Sequence, residues 1–225
     1  MAKHRAVIVG AGRIGAGYNW HDDVYTHAGA YKALSDRVEL VGFVEPDLER
    51  GRACGIKWGI PWTTDLPMAL DVQKPDIVSV CTQPEQQAQT IGRALPFGIK
   101  AIWCEKPFVS AKAWIPIQVN YLRRGDPVHQ KIAREHQGGK LIVYGKDDIH
   151  TRCHFDDLAK WWKATLEYHV ENGPCRYYYT MGSTYDDLSW AFPNGGVDGG
   201  QCMKAMLGNL LDHLDKGDPL WSPPT

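Results

Sequence analysis

Residues Gly10-Ala11-Gly12-Arg13-Ile14-Gly15 set three glycines at the spacing GxGxxG, directly behind the apolar run Ala6-Val7-Ile8-Val9. Between a strand and a helix, each glycine in that pattern has its own physical task. Gly10 permits the tight turn, Gly12 removes the Cβ that would hold the backbone away from a pyrophosphate, and Gly15 lets the following helix pack close to the strand. Gly10, Gly12, Arg13, Ile14 and Gly15 are therefore candidate dinucleotide contacts, with the diphosphate seated on N–H groups at the start of the helix. The second strand of such a unit ends in a carboxylate for the ribose hydroxyls. Glu45, which closes the run Val38–Val44, holds that place. It lies further from the glycines than usual, and the inserted stretch Tyr18–Thr26 accounts for the extra residues. A carboxylate here repels a 2′-phosphate and favours NAD, while Arg50 and Arg52 just beyond keep NADP open.

The elements that must position these residues alternate. Strands are predicted at 6–9, 38–44, 62–64, 76–81 and 101–104. Helices are predicted from about His27 to Leu34, from Asp47 to near Gly55, over Asp65 to Leu70, and over Glu85 to Leu95. In the last of these, Ala88, Ile91 and Leu95 supply the apolar face. Alternation of this kind marks βαβ units and a doubly wound parallel sheet of the Rossmann type. Thr82, Pro84 and Gln87 follow the fourth strand and Glu105-Lys106 follow the fifth, so all five are candidate cofactor contacts at the carboxyl edge. After Pro107 the rhythm changes. A strand over Ile115 to Tyr121 is followed by a polar helix, a further strand at 141–144 and an aromatic helix over 155–168. An antiparallel pair at 176–181 and 188–192 comes next, and Gln201 to Leu214 is the closing helix. The expected organisation is a dinucleotide-binding domain over 1–118. A reduced α+β domain with a small, mostly antiparallel sheet follows over 119–225.

The bulk properties of the 225 residues exclude several classes. A net charge of −1 gives no long-range field for nucleic acid or an anionic membrane. No run approaches the roughly 18 apolar residues of a membrane span. The chain carries no signal-peptide pattern, so a cytoplasmic protein is expected. The six cysteines form no CxxC pair and read as reduced, mostly buried thiols, and no metal site is expected.

At Cys104-Glu105-Lys106-Pro107 the fifth strand ends in EKP, and the chain there resembles the Gfo/Idh/MocA family of NAD(P)-dependent oxidoreductases. Four other stretches are similar to the same family: His27-Ala28, residues 75–82, residues 119–124, and His154-Phe155-Asp156-Asp157-Leu158. The resemblance runs through residues 6–160 in order, with gaps. It implies a Rossmann domain followed by an α/β domain whose open sheet builds the substrate site. It also implies hydride transfer to or from a carbinol carbon of a sugar, cyclitol or related polyol. By this resemblance Lys106 holds the substrate hydroxyl and helps move its proton, and His154 is the second acid/base group. The chemistry of the residues agrees. Histidine titrates near neutrality, and a lysine beside the cofactor stabilises a developing alkoxide. Glu105 is expected to shape the nicotinamide end of the site.

The chain also departs from the family. It is short. His150 stands four residues before His154 where an aspartate is common, making His150 a third catalytic candidate. Gln87 stands where histidine is common and can hydrogen-bond a cofactor ribose. Asn120, Tyr121, Arg123 and Arg124 are candidate substrate contacts, with either arginine able to hold a carboxylate or phosphate bidentately. Asp157 is expected to orient His154 or to sit in the first turn of the following helix. A small aromatic sheet leaves apolar surface that a second subunit covers, so a homodimer or higher homo-oligomer through the C-terminal sheet is expected. Besides a dehydrogenase or reductase, two other readings stay open at this point. One is a non-catalytic dinucleotide-binding regulator or sensor. The other is an enzyme whose bound NAD assists a lyase, epimerase or glycosidase step.

Overall fold

In a computed structural model of the chain, six short runs pair side by side as one parallel sheet. They are β1 (His4–Val9), β2 (Val38–Val44), β3 (Trp62–Thr63), β4 (Ile77–Val80), β5 (Ala101–Cys104) and β6 (Ile117–Val119). The strand order is β3-β2-β1-β4-β5-β6, with every pairing parallel. The structure describes residues 3–21, 23–108, 113–120 and 199–223. The predicted antiparallel sheet and aromatic helix lie outside them. The chain divides into two compact units, one of Met1–Asn120 with Met206–Pro224 and one of Tyr121–Ala205 with Thr225. The first unit thus takes in all of β6 and most of the closing helix, both of which the sequence reading divides differently, at 118/119.

The central strands are apolar without interruption because both faces of a parallel sheet are covered. Ala6, Val7, Ile8, Ile77, Val78, Ala101, Ile102 and Trp103 are all inaccessible to solvent. The helices begin where short polar side chains can accept an unpaired backbone N–H. Thr26 caps α2 (His27–Ala33) through Gly29 N, Asp47 caps α3 (Leu48–Trp58) through Arg50 N, and Asp65 caps α4 (Leu66–Gln73) through Met68 N. Helix α3 runs past Gly55, where the sequence suggests a stop, because Gly51 and Gly55 lie against the Trp62 ring and a Cβ at either would meet it within 2.6 Å. Its actual stop is Gly59 in the left-handed region. Helix α5 (Pro84–Ala94) is rotated from the expected face, with Gln87, Thr90, Ile91 and Ala94 buried and Ala88 exposed.

The helix opening after the glycines, α1 (Arg13–Ala16), is a single turn closed by Gly17 at φ 69°, where the inserted stretch begins. That stretch is tied to α3. Lys57 Nζ donates to Gly17 O at 2.8 Å and pairs with Asp23, and Trp58 Nε1 donates to Ala16 O at 2.8 Å.

The closing helix α6 (Gly199–Lys216) buries Met206, Leu207, Leu210 and Leu211 completely. Gln118 Nε2 donates to Met206 O, and Val119 N donates to Ser222 O at 2.8 Å. Beneath it, Asp215 meets Arg37 Nη2 at 2.7 Å and His4 Nε2 at 2.8 Å. The hydrogen bond from Arg37, then that from His4, holds the Asp215 carboxyl below the ordinary carboxylate range. A carboxyl depressed by folding adds stability above its unfolded pKa and loses it as pH falls through the folded value. Asp215→Asn is expected to lower stability at neutral pH by about 1 kcal/mol, the scale of a partly exposed ion-pair network. The difference from the parent should vanish as the pH drops below the carboxylate range, as measured by urea unfolding between neutral and acid pH.

Candidate dinucleotide site

The strand register sets the site. Thr63, Val44, Val9, Val80, Cys104 and Val119 lie opposite one another along one line across the sheet. The residues one step further on β2, β1, β4, β5 and β6 are Glu45, Gly10, Cys81, Glu105 and Asn120, so they emerge in a row at the carboxyl edge. In open α/β sheets ligands bind at that edge, where the winding reverses. Here the reversal falls between β1 and β4.

At the reversal the backbone is tightly packed. Gly10 has φ 94°, and a Cβ on it would lie 2.6 Å from Cys81 O. A Cβ on Gly15 would lie 2.0 Å from Gly10 O. Gly12 differs, since a Cβ there meets nothing nearer than Arg50 Nη1 at 3.8 Å. Beside it opens a cavity of about 510 Å³ whose wall includes Gly12, Arg13, Glu45, Arg50 and Thr82. Thr82 Oγ1 and Arg50 Nε are buried on that wall without a hydrogen-bond partner among the described residues. A bare backbone cradle and two unsatisfied polar atoms fit the pyrophosphate and ribose oxygens of a dinucleotide. Because α1 is one turn long, such an anion is held by individual N–H groups more than by a helix dipole.

Glu45 is buried at 3% exposure. It accepts from Ala11 N at 2.8 Å and Asp47 N at 3.1 Å, with Arg50 Nε 3.8 Å away. Two of roughly four lone-pair positions are used, so hydroxyl donors can still be accepted. Two aromatic residues of the inserted stretch frame this end. Arg13 lies 5.7 Å from the centre of the Trp20 ring and Arg50 5.7 Å from that of Tyr18, and Trp20 also lines the cavity.

At the other end Glu105 is 7% exposed. Its Oε1 accepts from His27 Nε2 at 3.0 Å and from Asn120 Nδ2, and its Oε2 from Lys106 N at 3.3 Å. His27 Nδ1 meets Ser79 Oγ at 3.0 Å, and Ser79 Oγ meets Tyr31 OH at 2.8 Å. Gln87 is fully buried and donates to Glu105 O at 2.8 Å, which places it beneath the site. Pro84 is the first residue of α5, Ile14 lines the cavity, and Lys106 is exposed just past β5. Asn120 is buried against Glu105. Tyr121, Arg123, Arg124, His150, His154 and Asp157 lie outside the described residues. Burial raises the thiols of Cys81 and Cys104, the latter to about 12, with Glu105 adding to both, so they stay protonated. Cys54, Cys81, Cys104 and Cys202 are free. No described helix is long and apolar enough to cross a membrane.

His27 and Trp20 were not singled out as site residues from the sequence. His27 and Tyr31, four apart on one helix face, carried the available signal for the first. Trp20 had none beyond its place in an insertion beside the glycines.

The parallel order, the glycine turn and the carboxylate row define a dinucleotide-binding Rossmann domain. The Gfo/Idh/MocA model, described as an oxidoreductase family with an NAD-binding Rossmann fold, matches residues 4–118, just over half of the chain. The chain belongs to this family. No curated protein matches it. Among solved structures it is similar to the WlbA dehydrogenase of Chromobacterium violaceum in complex with NADH and UDP-GlcNAcA. That match has 23% identity and a TM-score of 0.50, over 62% of this chain and 41% of that one. It is similar also to scyllo-inositol dehydrogenase of Lactobacillus casei with bound NAD(H) and scyllo-inositol, at 18% identity and TM-score 0.50, over 63% and 43%. An oxidoreductase of Thermotoga maritima matches at 19% identity and TM-score 0.50, over 69% and 52%. At these identities the likeness is one of fold, and the match spans about half or less of each solved chain.

Gly12→Ala is expected to fold with an unchanged melting temperature, because its Cβ meets open space, yet to weaken NAD binding at least about tenfold by blocking close backbone approach. Gly15→Ala, with its Cβ driven onto Gly10 O, is expected to unfold at markedly lower temperature. Calorimetry and thermal melts on the two variants separate seat from scaffold.

Proposed function

We propose that this protein is an NAD-dependent oxidoreductase acting on a carbinol carbon of a sugar, cyclitol or sugar derivative. The observation that carries the cofactor half is the open Gly12 cradle between Glu45 and Glu105 on one sheet edge. By the register, those two carboxylates stand three strand spacings apart, roughly 14 Å. Glu45 accepts the ribose hydroxyls of the adenosine end and disfavours a 2′-phosphate. Thr82 and the amides around Gly12 and Arg13 hold the pyrophosphate. When bound, the nicotinamide takes up or returns the hydride.

The substrate half rests on Lys106 and on family membership. Lys106 leaves the sheet next to Glu105, exposed and on the side where the nicotinamide half belongs. Its ammonium holds the substrate hydroxyl and stabilises the oxygen as its proton departs. His154, with His150, is assigned the proton exchange with solvent, since imidazole gains and loses a proton near neutral pH. Tyr121, Arg123, Arg124 and Asp157 are assigned to substrate, with Asn120 behind them. Sugar and inositol compounds in two of the similar solved structures support the substrate class.

A panel of sugars and cyclitols with NAD and NADP, followed by reduced-nicotinamide absorbance, tests the reading. Turnover with NAD is expected. Lys106→Ala should lower kcat at least about a hundredfold, the scale of a lost acid/base or electrostatic group, with NAD affinity within about threefold. Unchanged turnover in that variant removes the role of Lys106. NAD binding with no turnover across the panel favours the regulator reading.

A further inference from the structure

Glu105 carries a charge that the described residues do not neutralise. Its partners are His27, Asn120 and the Lys106 amide, and no lysine or arginine side chain among the described residues pairs with it. Whether His27 supplies a positive charge follows from the hydrogen-bond chain behind it. Tyr31 is 1% exposed, and burial pushes its phenol up, so it keeps its proton. That proton has one described acceptor, Ser79 Oγ. The Ser79 hydroxyl is then free to donate only onward, to His27 Nδ1. Nδ1 therefore carries a lone pair, and the single ring proton sits on Nε2 and points at Glu105. The imidazole is neutral and stacks on Trp103, ring centres 3.8 Å apart. Three N–H groups converge on the carboxylate and none cancels its charge.

An unpaired buried charge is expensive, and structures pair such groups with a cation or a ligand. Glu105 lies at the carboxyl edge, two strands beyond the glycine turn on the side away from Glu45, which is where the nicotinamide half of a dinucleotide extends. The oxidised nicotinamide is a cationic pyridinium and the reduced ring is neutral. We propose that Glu105 biases this site toward the oxidised, cationic cofactor, and that His27 is the positioning residue that holds its carboxylate there. The inference rests on the dinucleotide reading above.

The test is calorimetric titration of the full chain with NAD⁺, with NADH and with benzamide adenine dinucleotide, an uncharged isostere of NAD⁺. The native protein is expected to bind NAD⁺ about tenfold more tightly than the isostere, the scale of one charge pair at a partly solvated site. Equal affinity for the two overturns the proposal without any variant. In Glu105→Gln the affinity for NAD⁺ should fall about tenfold relative to that for NADH. A fall by the same factor for both makes Glu105 merely structural and also overturns it. His27→Leu should lose most of the preference and His27→Gln, which keeps an amide donor, should restore it. An unchanged preference in His27→Leu overturns the assignment of His27. Binding of none of the three dinucleotides would instead bring down the cofactor reading, an outcome distinct from binding without charge preference.

Discussion

A common level across the parallel sheet is the constraint on which everything else depends. Because β1, β2, β4, β5 and β6 each end on the same line, the next residue of each is delivered to one edge. A slip of one position in any strand would turn its side chains to the opposite face and take Glu45 or Glu105 out of the row. The level is maintained at the centre by contacts with no room for a side chain, Gly10 against Cys81 and Gly15 against Gly10. The same crowding that makes those glycines necessary leaves Gly12 facing open space.

The two carboxylates of that row have opposite surroundings. Glu45 is engaged by Ala11 N and Asp47 N with Arg50 close by, so its charge is partly met within the protein. Glu105 is met by neutral donors only, behind which a buried chain of His27, Ser79 and Tyr31 runs into the core. A polar chain inside a sheet-and-helix core is tolerable because each of these groups is hydrogen-bonded. Glu105 also links layers, since its backbone carbonyl receives Gln87 from α5. One residue thus ties α2, α5, β5 and the segment after β6 at the edge where the cofactor belongs.

The inserted stretch after the glycines alters the usual economy of the turn. With α1 cut to one turn, the segment is held from outside by Lys57 and Trp58 of α3, and it brings Trp20 and Tyr18 under the guanidinium groups of Arg13 and Arg50. The adenosine end of the cavity is consequently walled by aromatic and cationic groups drawn from an insertion and from a neighbouring helix.

Much of this was legible in the order of the residues. Strand-length apolar runs, capping residues at Thr26, Asp47 and Asp65, and glycines at a fixed spacing act locally, so they mark elements and the dinucleotide turn without knowledge of the whole. Glu45 and Glu105 were legible because each ends a strand. What tertiary structure decided were quantities that depend on contacts between distant segments. Helix α3 passed Gly55 because Trp62 lies over it, and α5 turned so that Gln87 faced inward to Glu105 in place of Ala88. The end of the chain joined the first unit through Gln118, Arg37 and His4. The neutral state and direction of His27 followed from partners 52 and 78 positions away in the chain. Sequence pattern sets which backbone form each segment prefers, whereas the pairing of buried polar atoms is settled only when packing removes water and leaves each group a single partner.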